Sequence, residues 1–217
     1  MHASATTNAA RSAPPAGRPA VAATPEPKLA PPGAGIPAVD RFVFGWVLRA
    51  RRALTPRERV AREFMQERAR IAALTAPLTA ARATQRVLIP PQRGLEDSSR
   101  FWSVWMTLDH LRIVHAELAQ CIPMLARGIA PPRAASTAAV KPAAQLDARV
   151  VAAYEDSCDV LLRAFERVPE LRGTACYAHP WFGPLDAAGW QVLSAAHLRI
   201  HRVQIEHILR GIDGTPR

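Results

Sequence analysis

Apolar residues recur every three or four positions along four stretches of this chain, which is the spacing of helices with one buried face. The pattern predicts bundle helices over residues 56–87, from 98 or 99 to about 120, over 143–167, and from 186 to about 211. Thr55 and Pro56 form a typical helix start, and Asp186 is the predicted N-cap of the last helix. Pro77 is expected to kink or divide the first helix. The predicted fold is an all-α four-helix bundle.

The segments outside these helices complete the predicted organisation. Residues 129–142 are rich in proline and small residues and predict a long crossover between the second and third helices, which lets the third helix start at the far end of the bundle. Residues 1–39 hold eight of the twenty prolines and few side chains that could pack a core. We expect them to form a disordered tail, followed by one bundle domain over residues 40–217.

A short extra helix is predicted from Asp40 to about Ala53. Its first half, residues 42–48, is mostly apolar, and Arg49, Arg51 and Arg52 follow it. This pattern is typical of a helix that binds a membrane surface or a partner. It is equally the pattern of a helix that lies across the bundle with its arginines in water, which is the commoner case. The apolar part also offers a surface for a homodimer.

Three histidines are the candidate metal ligands. His197 and His201 are four residues apart, so on a helix they lie on one face and can bind one ion. Two histidines make a weak site, and His110, which follows Trp102 and Met106 at four-residue spacing, is the best third candidate. A single buried histidine is more often a hydrogen-bonded core residue. Three neutral imidazoles together suit a divalent ion such as zinc, nickel or iron(II).

Several motifs place these histidines in a wider pattern. They are a Trp-Ser pair at 102 and 103, a His-Leu pair at 110 and 111, a His-Pro-Trp-Phe-Gly run at 179–183, and a His-x-x-x-His helix at 197–201. Over residues 57–210 the chain resembles the DinB-like superfamily of metal-binding four-helix bundles. The resemblance implies that His110, His197 and His201 are the ligands. The family includes enzymes that activate a small-molecule thiol for transfer or isomerisation, so the resemblance leaves open a metal-dependent thiol transferase, an isomerase or a hydrolase.

Other polar residues are weaker candidates for the site. Gln204 lies on the same helix face as the ligand pair and is the best candidate to orient a ligand. Asp109 and Glu117 could orient a metal ligand or act as an acid or base. Asp109 is about 100° around its helix from His110, so it is expected to face another helix or solvent. His179 could overhang the site, but the favoured interpretation of its loop is anchoring by Trp181 and Phe182.

The remaining histidines and cysteines are not expected to carry chemistry. His115 and His207 fall outside the spacing of the three candidate ligands, and Cys158 and Cys176 lack a catalytic partner nearby in the sequence. The odd number of cysteines, three, argues against a disulfide framework. No apolar run approaches the roughly 18 residues of a spanning helix, and no secretory signal is recognisable. A cytoplasmic protein is therefore expected.

Positive charge is concentrated in one part of the chain. The net charge is +10, and residues 41–93 contain twelve arginines and three glutamates. This segment has no recognisable nucleic-acid-binding motif, so no specific nucleic acid is expected, and non-specific binding should fade as salt rises. The main alternative to a thiol-dependent enzyme is a non-catalytic metal-binding stress or interaction protein. A second alternative is a binder of DNA or membrane through the basic surface.

Overall fold

The computed structural model describes residues 26–214, and this part of the chain is mostly helical. Its helices are α1 (Ala38–Leu54), α2 (Arg57–Thr75), α3 (Ala80–Thr84), α4 (Val104–Ala126), α5 (Arg149–Glu166) and α6 (Ala187–Ile212). Two small antiparallel pairs of strands were not predicted. They are β1 (Val87–Leu88) with β2 (Phe101–Trp102), and β3 (Tyr177–His179) with β4 (Gly183–Leu185).

The four long helices α2, α4, α5 and α6 form the bundle. Helix α4 packs on α5 and α6, and α6 also packs on α2 and α1. Fully buried leucine and isoleucine side chains from each of these helices fill the space between them, among them Ile71, Leu108, Leu161 and Leu198. The pairing of α4 with α6 is what positions the candidate site, because these two helices carry the three predicted ligands. None of the described helices is long and apolar enough to cross a membrane.

The first bundle helix is shorter than predicted. It was expected over residues 56–87, but α2 ends at Thr75 and Pro77 divides the segment, which was one of the two expected effects of this proline. Proline has no N–H to continue the helical ladder. The chain restarts as α3, which is capped by Thr79, and then enters β1, so that Val87 lies in a strand.

The second and third bundle helices also differ from their predicted bounds. Ser103 caps α4 by accepting a hydrogen bond from the Met106 N–H at 3.2 Å, whereas Ser98 and Ser99 lie in a 3-10 turn. Trp102 is therefore in β2 and not on the same helix as His110. Helix α4 continues to Ala126, beyond the predicted end near residue 120, and α5 begins at 149 rather than 143.

The predicted N-cap of the last helix is present. The Asp186 carboxylate accepts a hydrogen bond from the Gly189 N–H at 2.9 Å, which satisfies one of the free donors at the start of α6. The same carboxylate accepts a hydrogen bond from the Gly173 N–H and forms an ion pair with Arg52 of α1. One buried side chain thus joins the start of α6 to α1 and to the loop before β3. The helix ends at Ile212, close to the predicted position.

Residues 127–148 connect α4 to α5 without helix or strand. The connection lies beside the first half of α4, because the Ala143 N–H donates to Asp109 at 3.0 Å.

The described residues before α1 also contact the bundle. The N–H groups of Gly33 and Gly35 donate to Glu96, and Ile36 is buried. Residues 1–25 lie outside the described part, and the predicted domain division at residue 39 stays a prediction.

Helix α1 lies on α6 with Arg49 exposed, as expected, but Arg51 and Arg52 are only half-exposed and most of the apolar side of the helix does not face the bundle. It begins at 38, two residues before the predicted cap at Asp40, and Gly45 and Leu48 form its buried side. Arg51 and Arg52 are in ion pairs, while Phe42 and Trp46 are exposed and Phe44 is half-buried.

Candidate metal centre

The fold brings His110, His197 and His201 together. His110 comes from the second turn of α4, and the other two lie one helical turn apart in the middle of α6. The His197 Nε2 atom is 3.2 Å from the Nε2 of His110 and 3.0 Å from that of His201. One ring nitrogen from each of the three residues lies within 4.8 Å of the others. The three residues chosen from the sequence therefore form one cluster.

The protonation of His110 follows from its second ring nitrogen. Its Nδ1 lies 2.7 Å from the carbonyl oxygen of Val140, in the connection between α4 and α5. A carbonyl can only accept, so Nδ1 carries the proton and Nε2 presents a lone pair to the cluster. The connection thus fixes both the tautomer and the ring orientation of this histidine.

His201 is fixed in the same way by Gln204. The amide nitrogen of Gln204 donates to the Ser99 carbonyl at 2.7 Å, so the amide oxygen must face His201. This oxygen accepts the His201 Nδ1–H at 2.7 Å and leaves Nε2 as a second lone pair in the cluster. Gln204 was expected to orient a ligand, and it contacts one directly. Its side chain is fully buried, so both hydrogen bonds are shielded from water.

The third histidine cannot satisfy these two lone pairs by itself. A proton on the His197 Nε2 could be donated fully to only one of the neighbouring nitrogens. Its Nδ1 is buried and has no hydrogen-bond partner among residues 26–214. A cation at the centre would instead accept all three lone pairs. Two nitrogens bound to one tetrahedral zinc ion lie about 3.3 Å apart. The Nε2 atom of His197 is close to this distance from the other two Nε2 atoms, at 3.0 and 3.2 Å. The donor set therefore fits a borderline divalent metal.

Burial keeps the three imidazoles neutral. It lowers the pKa of His110 to about 4 and the pKa values of His197 and His201 well below their ordinary value. Each of the two α6 histidines is lowered further by neighbouring histidines, because a second positive charge in the cluster would be repelled. Neutral histidine is the form that binds metal, so the cluster is ready to bind at neutral pH.

Trp102 forms one wall of the cluster. Its ring is nearly parallel to that of His201, with the ring centres 6.3 Å apart, and it lies 5.2 Å from the ring of His110. The Lys141 ammonium lies over the Trp102 ring, 5.2 Å from its centre, and forms an ion pair with the buried Glu96 at 2.9 Å. Neither Lys141 nor Glu96 was predicted from the sequence. Both lie in loops, where no periodic pattern marks a buried side chain.

The weaker candidates lie outside the cluster. Asp109 pairs with Arg112 on its own helix, and Glu117 accepts a hydrogen bond from the Tyr177 hydroxyl. His179 accepts the Trp181 N–H through its Nδ1 and stacks on Phe182. His179 therefore contacts Trp181 and Phe182, the two residues expected to anchor this loop, and not the cluster.

The other histidines and cysteines form no second metal cluster among the described residues. His115 is buried and contacts Ser157 and Cys158. Burial raises the pKa of the Cys158 thiol, which makes this residue a poor nucleophile. Cys176 is half-buried, and its thiol donates to the Thr174 carbonyl.

Comparison with solved structures supports the architecture. The crystal structure of TT2238, a four-helix bundle protein, is similar to this chain with a TM-score of 0.51. The two sequences are 19% identical, and the match covers 70% of this chain and 98% of TT2238. At this identity the likeness concerns the fold alone. No family model matches the sequence, and no curated protein matches it. The chain is therefore a helical protein with a four-helix-bundle neighbour and a cluster of three histidines that could bind a metal ion.

Proposed function

We propose that this chain is a DinB-like protein that binds one divalent ion (zinc, nickel or iron) through His110, His197 and His201. We further propose that the bound metal activates a small-molecule thiol for transfer or isomerisation. The observation that carries the proposal is the convergence of three Nε2 atoms, two of which are fixed as lone-pair donors by Val140 and Gln204. The sequence motifs at 102–111 and 179–201 support the DinB-like assignment.

The topology is a second support for that assignment. The connection over residues 127–148 runs back beside α4, as a crossover between the second and third bundle helices requires. It also supplies the carbonyl that orients His110. In this proposal the crossover therefore has two roles, since it joins the helices and positions a ligand.

Three protein ligands leave a coordination position free, as in catalytic rather than structural zinc sites. When bound, the metal ion would lower the pKa of a coordinated thiol or water and so supply a nucleophile at neutral pH. The chain itself would hold the ligand rings, through Val140 and Gln204, and shield them with Trp102. His197 is the most exposed of the three histidines, and it marks the side from which a small molecule would approach.

A non-catalytic metal-binding role is the second candidate, and one observation favours it. His110 and His201 are only 7% and 3% exposed, and Trp102 covers both rings. A site closed to this extent would hold a metal ion without turnover, as a stress or interaction protein could.

The metal content of the untagged protein tests the proposal common to both roles. We expect about one equivalent of metal in the parent and little in His110→Ala or His197→Ala, because each variant removes one of three ligands. His207→Ala is the matched control, since it removes a histidine of α6 that lies outside the cluster and should leave the metal content unchanged. A folded, metal-free parent that also fails to bind added zinc or nickel would refute the metal site.

Cobalt substitution separates the two roles. Cobalt(II) bound by three histidines has visible absorption that changes when a thiol enters the free position. A spectral change on addition of a small thiol to the cobalt-loaded parent, and equally to cobalt-loaded His207→Ala, supports thiol activation. A cobalt-loaded protein whose spectrum is unchanged by any thiol would contradict it and favour the non-catalytic role.

A further inference from the structure

The outward side of α1 is a continuous apolar surface. Three of its large side chains, Phe42, Trp46 and Leu54, are 67%, 62% and 81% exposed. The whole face consists of exposed apolar residues that recur at helical spacing: Val39, Phe42, Val43, Trp46, Val47, Ala50, Ala53 and Leu54. We call these eight residues the α1 face. No charged residue interrupts it.

The fold holds this face toward solvent. Gly45 and Leu48 are on the opposite side of the helix and are buried. Arg51 pairs with Glu63 of α2, and Arg52 pairs with Asp186 at the start of α6. These ion pairs lie on the side of α1 that meets the bundle, so turning the helix to bury its aromatic residues would break them.

The α1 face is about as large as the largest apolar patch on a typical single chain, a size at which such patches are often functional. Phe42 and Trp46 lie with their rings 6.3 Å apart, and at about two-thirds exposure each presents roughly 100–160 Å² to water. Together with the six aliphatic residues, the patch reaches several hundred Å². Contiguous apolar patches of about this size on a single chain commonly mark interaction sites.

Positive charge surrounds this face. The one acidic residue of α1 is largely covered while its arginine partner is exposed: the Asp40 side chain is 13% exposed and that of Arg93 is 68% exposed. Arg41 and Arg49 are exposed, and neither forms an ion pair with an acidic side chain in the part of the chain that the structure describes. The surface around the apolar face is therefore cationic, in agreement with the twelve arginines of residues 41–93.

We propose that the α1 face binds the surface of a membrane that contains anionic phospholipids. An apolar helix face with aromatic side chains and arginines beside it is the pattern of helices that lie in the membrane interface. Phe42 and Trp46 enter the boundary between headgroups and acyl chains, and the neighbouring arginines contact lipid phosphates. This inference is independent of the metal site.

Other occupants fit the face less well. A second copy of the chain would bring two cationic surfaces together, each on a chain of net charge +10. Residues 1–25 contain only Met1 and Val21 as large apolar residues, which is too few to cover the face. A nucleic acid would be attracted by the arginines, but the α1 face itself has no group that binds a phosphate.

Vesicle co-sedimentation of the full chain tests the proposal, with phosphatidylcholine vesicles that contain or lack phosphatidylglycerol. We expect binding only with phosphatidylglycerol, and a loss of at least about tenfold in the Phe42→Ser/Trp46→Ser variant because its apolar contact is removed. The matched control is Met65→Ser/Val160→Ser, which changes two residues of α2 and α5 that are 47% and 46% exposed. This control should bind as the parent does. Since all four side chains are exposed, the variants should keep the parent's circular dichroism.

The charge contribution is tested separately. Arg49→Gln should weaken binding about fivefold, since each arginine near an anionic surface contributes about 1 kcal/mol. Arg149→Gln, which changes a side chain 92% exposed at the start of α5, should leave binding unchanged. Equal binding to neutral and anionic vesicles would contradict the role of the arginines.

Three further results would overturn the proposal. The first is vesicle binding that survives in Phe42→Ser/Trp46→Ser. The second is a stable dimer that this variant converts to a monomer, with no vesicle binding by the parent, which would assign the face to a second copy. The third is binding to DNA, but not to vesicles, that depends on the arginines and not on the aromatic residues.

Discussion

Replacement of Gln204 by leucine tests whether the residue that orients His201 affects metal binding while all three histidine ligands are kept. Gln204 is fully buried and makes two hydrogen bonds of 2.7 Å, one from His201 and one to the Ser99 carbonyl. Leucine has a similar volume and no polar atoms. Gln204→Leu therefore leaves the His201 Nδ1–H and the Ser99 carbonyl without partners but creates no large cavity.

The magnitude follows from these two orphaned groups. Each buried polar group left unpaired costs about 1–3 kcal/mol, so the free energy of unfolding should fall by about 2–6 kcal/mol, less what the added apolar surface recovers. Metal affinity should fall about 10–100-fold, because the His201 ring loses the contact that fixes its tautomer. Gln204→Glu keeps an oxygen opposite His201, but it replaces the donor to Ser99 with a second acceptor oxygen and adds a buried charge. It should therefore be destabilised but should bind metal nearly as well as the parent.

The assays are denaturant unfolding of the metal-free chain and zinc titration against a competing chelator. Gln191→Leu is the matched control, because Gln191 is also a buried glutamine of α6, and its amide donates to the Arg57 carbonyl at 3.2 Å away from the histidines. It should lower stability without changing metal affinity. If Gln204→Leu and Gln191→Leu bind zinc equally well, Gln204 has no role in positioning the ligand and the reasoning from its contacts is wrong.

The remaining predictions concern pH and the contacts that hold the site together. Burial lowers the pKa values of His110 and His179 to about 4, so below pH 6.5 the unfolded state binds more protons than the folded state. The free energy of unfolding of the metal-free chain should therefore be constant above pH 6.5 and fall as the pH drops toward 4, by about 1.4 kcal/mol per histidine per pH unit. Urea unfolding at several pH values measures this. Asp186→Ala removes both the cap of α6 and the partner of Arg52 and should cost about 3–5 kcal/mol in the same assay, whereas a loss below 1 kcal/mol would contradict the role assigned to this carboxylate. Glu96→Ala removes the acceptor of two backbone N–H groups of the segment before α1, which should then be cut faster by a protease than in the parent; unchanged cleavage would show that other contacts hold the segment.

The helices that sequence analysis located best are those with explicit end signals. Asp186 caps α6 as predicted, because a carboxylate just before an apolar periodic stretch can accept a hydrogen bond from a free N–H of the first turn. The bounds of α2 and α4 were wrong where two signals competed. Pro77 ended the first helix, and Ser103 rather than Ser98 or Ser99 capped the second, since residues 101 and 102 pair with β1 instead. Such strand pairs are tertiary contacts that leave no local pattern when each strand has only two residues.

His110 lies on a different helix and was joined to the other two histidines by its sequence motif and the resemblance that the motif carries, whereas helix periodicity placed His197 and His201 together because it fixes which residues of one helix share a face. The same rule placed Gln204 beside them. It could not find Val140, whose carbonyl orients His110, because any residue has a carbonyl and the connection between α4 and α5 has no period. Lys141 and Glu96 escaped for a similar reason, since their burial depends on how two loops meet. Ligands on helices are thus predictable, and the loop atoms that orient them are not.

Helix α1 shows where periodicity itself stops being sufficient. The apolar and basic positions were read correctly, but an amphipathic pattern says only which residues lie on the same side of a helix, not which side meets the bundle. Burial of the apolar side is the usual outcome because it removes the most apolar surface from water. Here Arg52 meets the buried carboxylate of Asp186, and loss of that partner would leave a charge unpaired inside the protein. The Asp186 carboxylate both caps α6 and pairs with Arg52. The residue that starts α6 therefore also holds α1 with Phe42 and Trp46 toward solvent, on the side where the sequence pattern alone predicts the arginines.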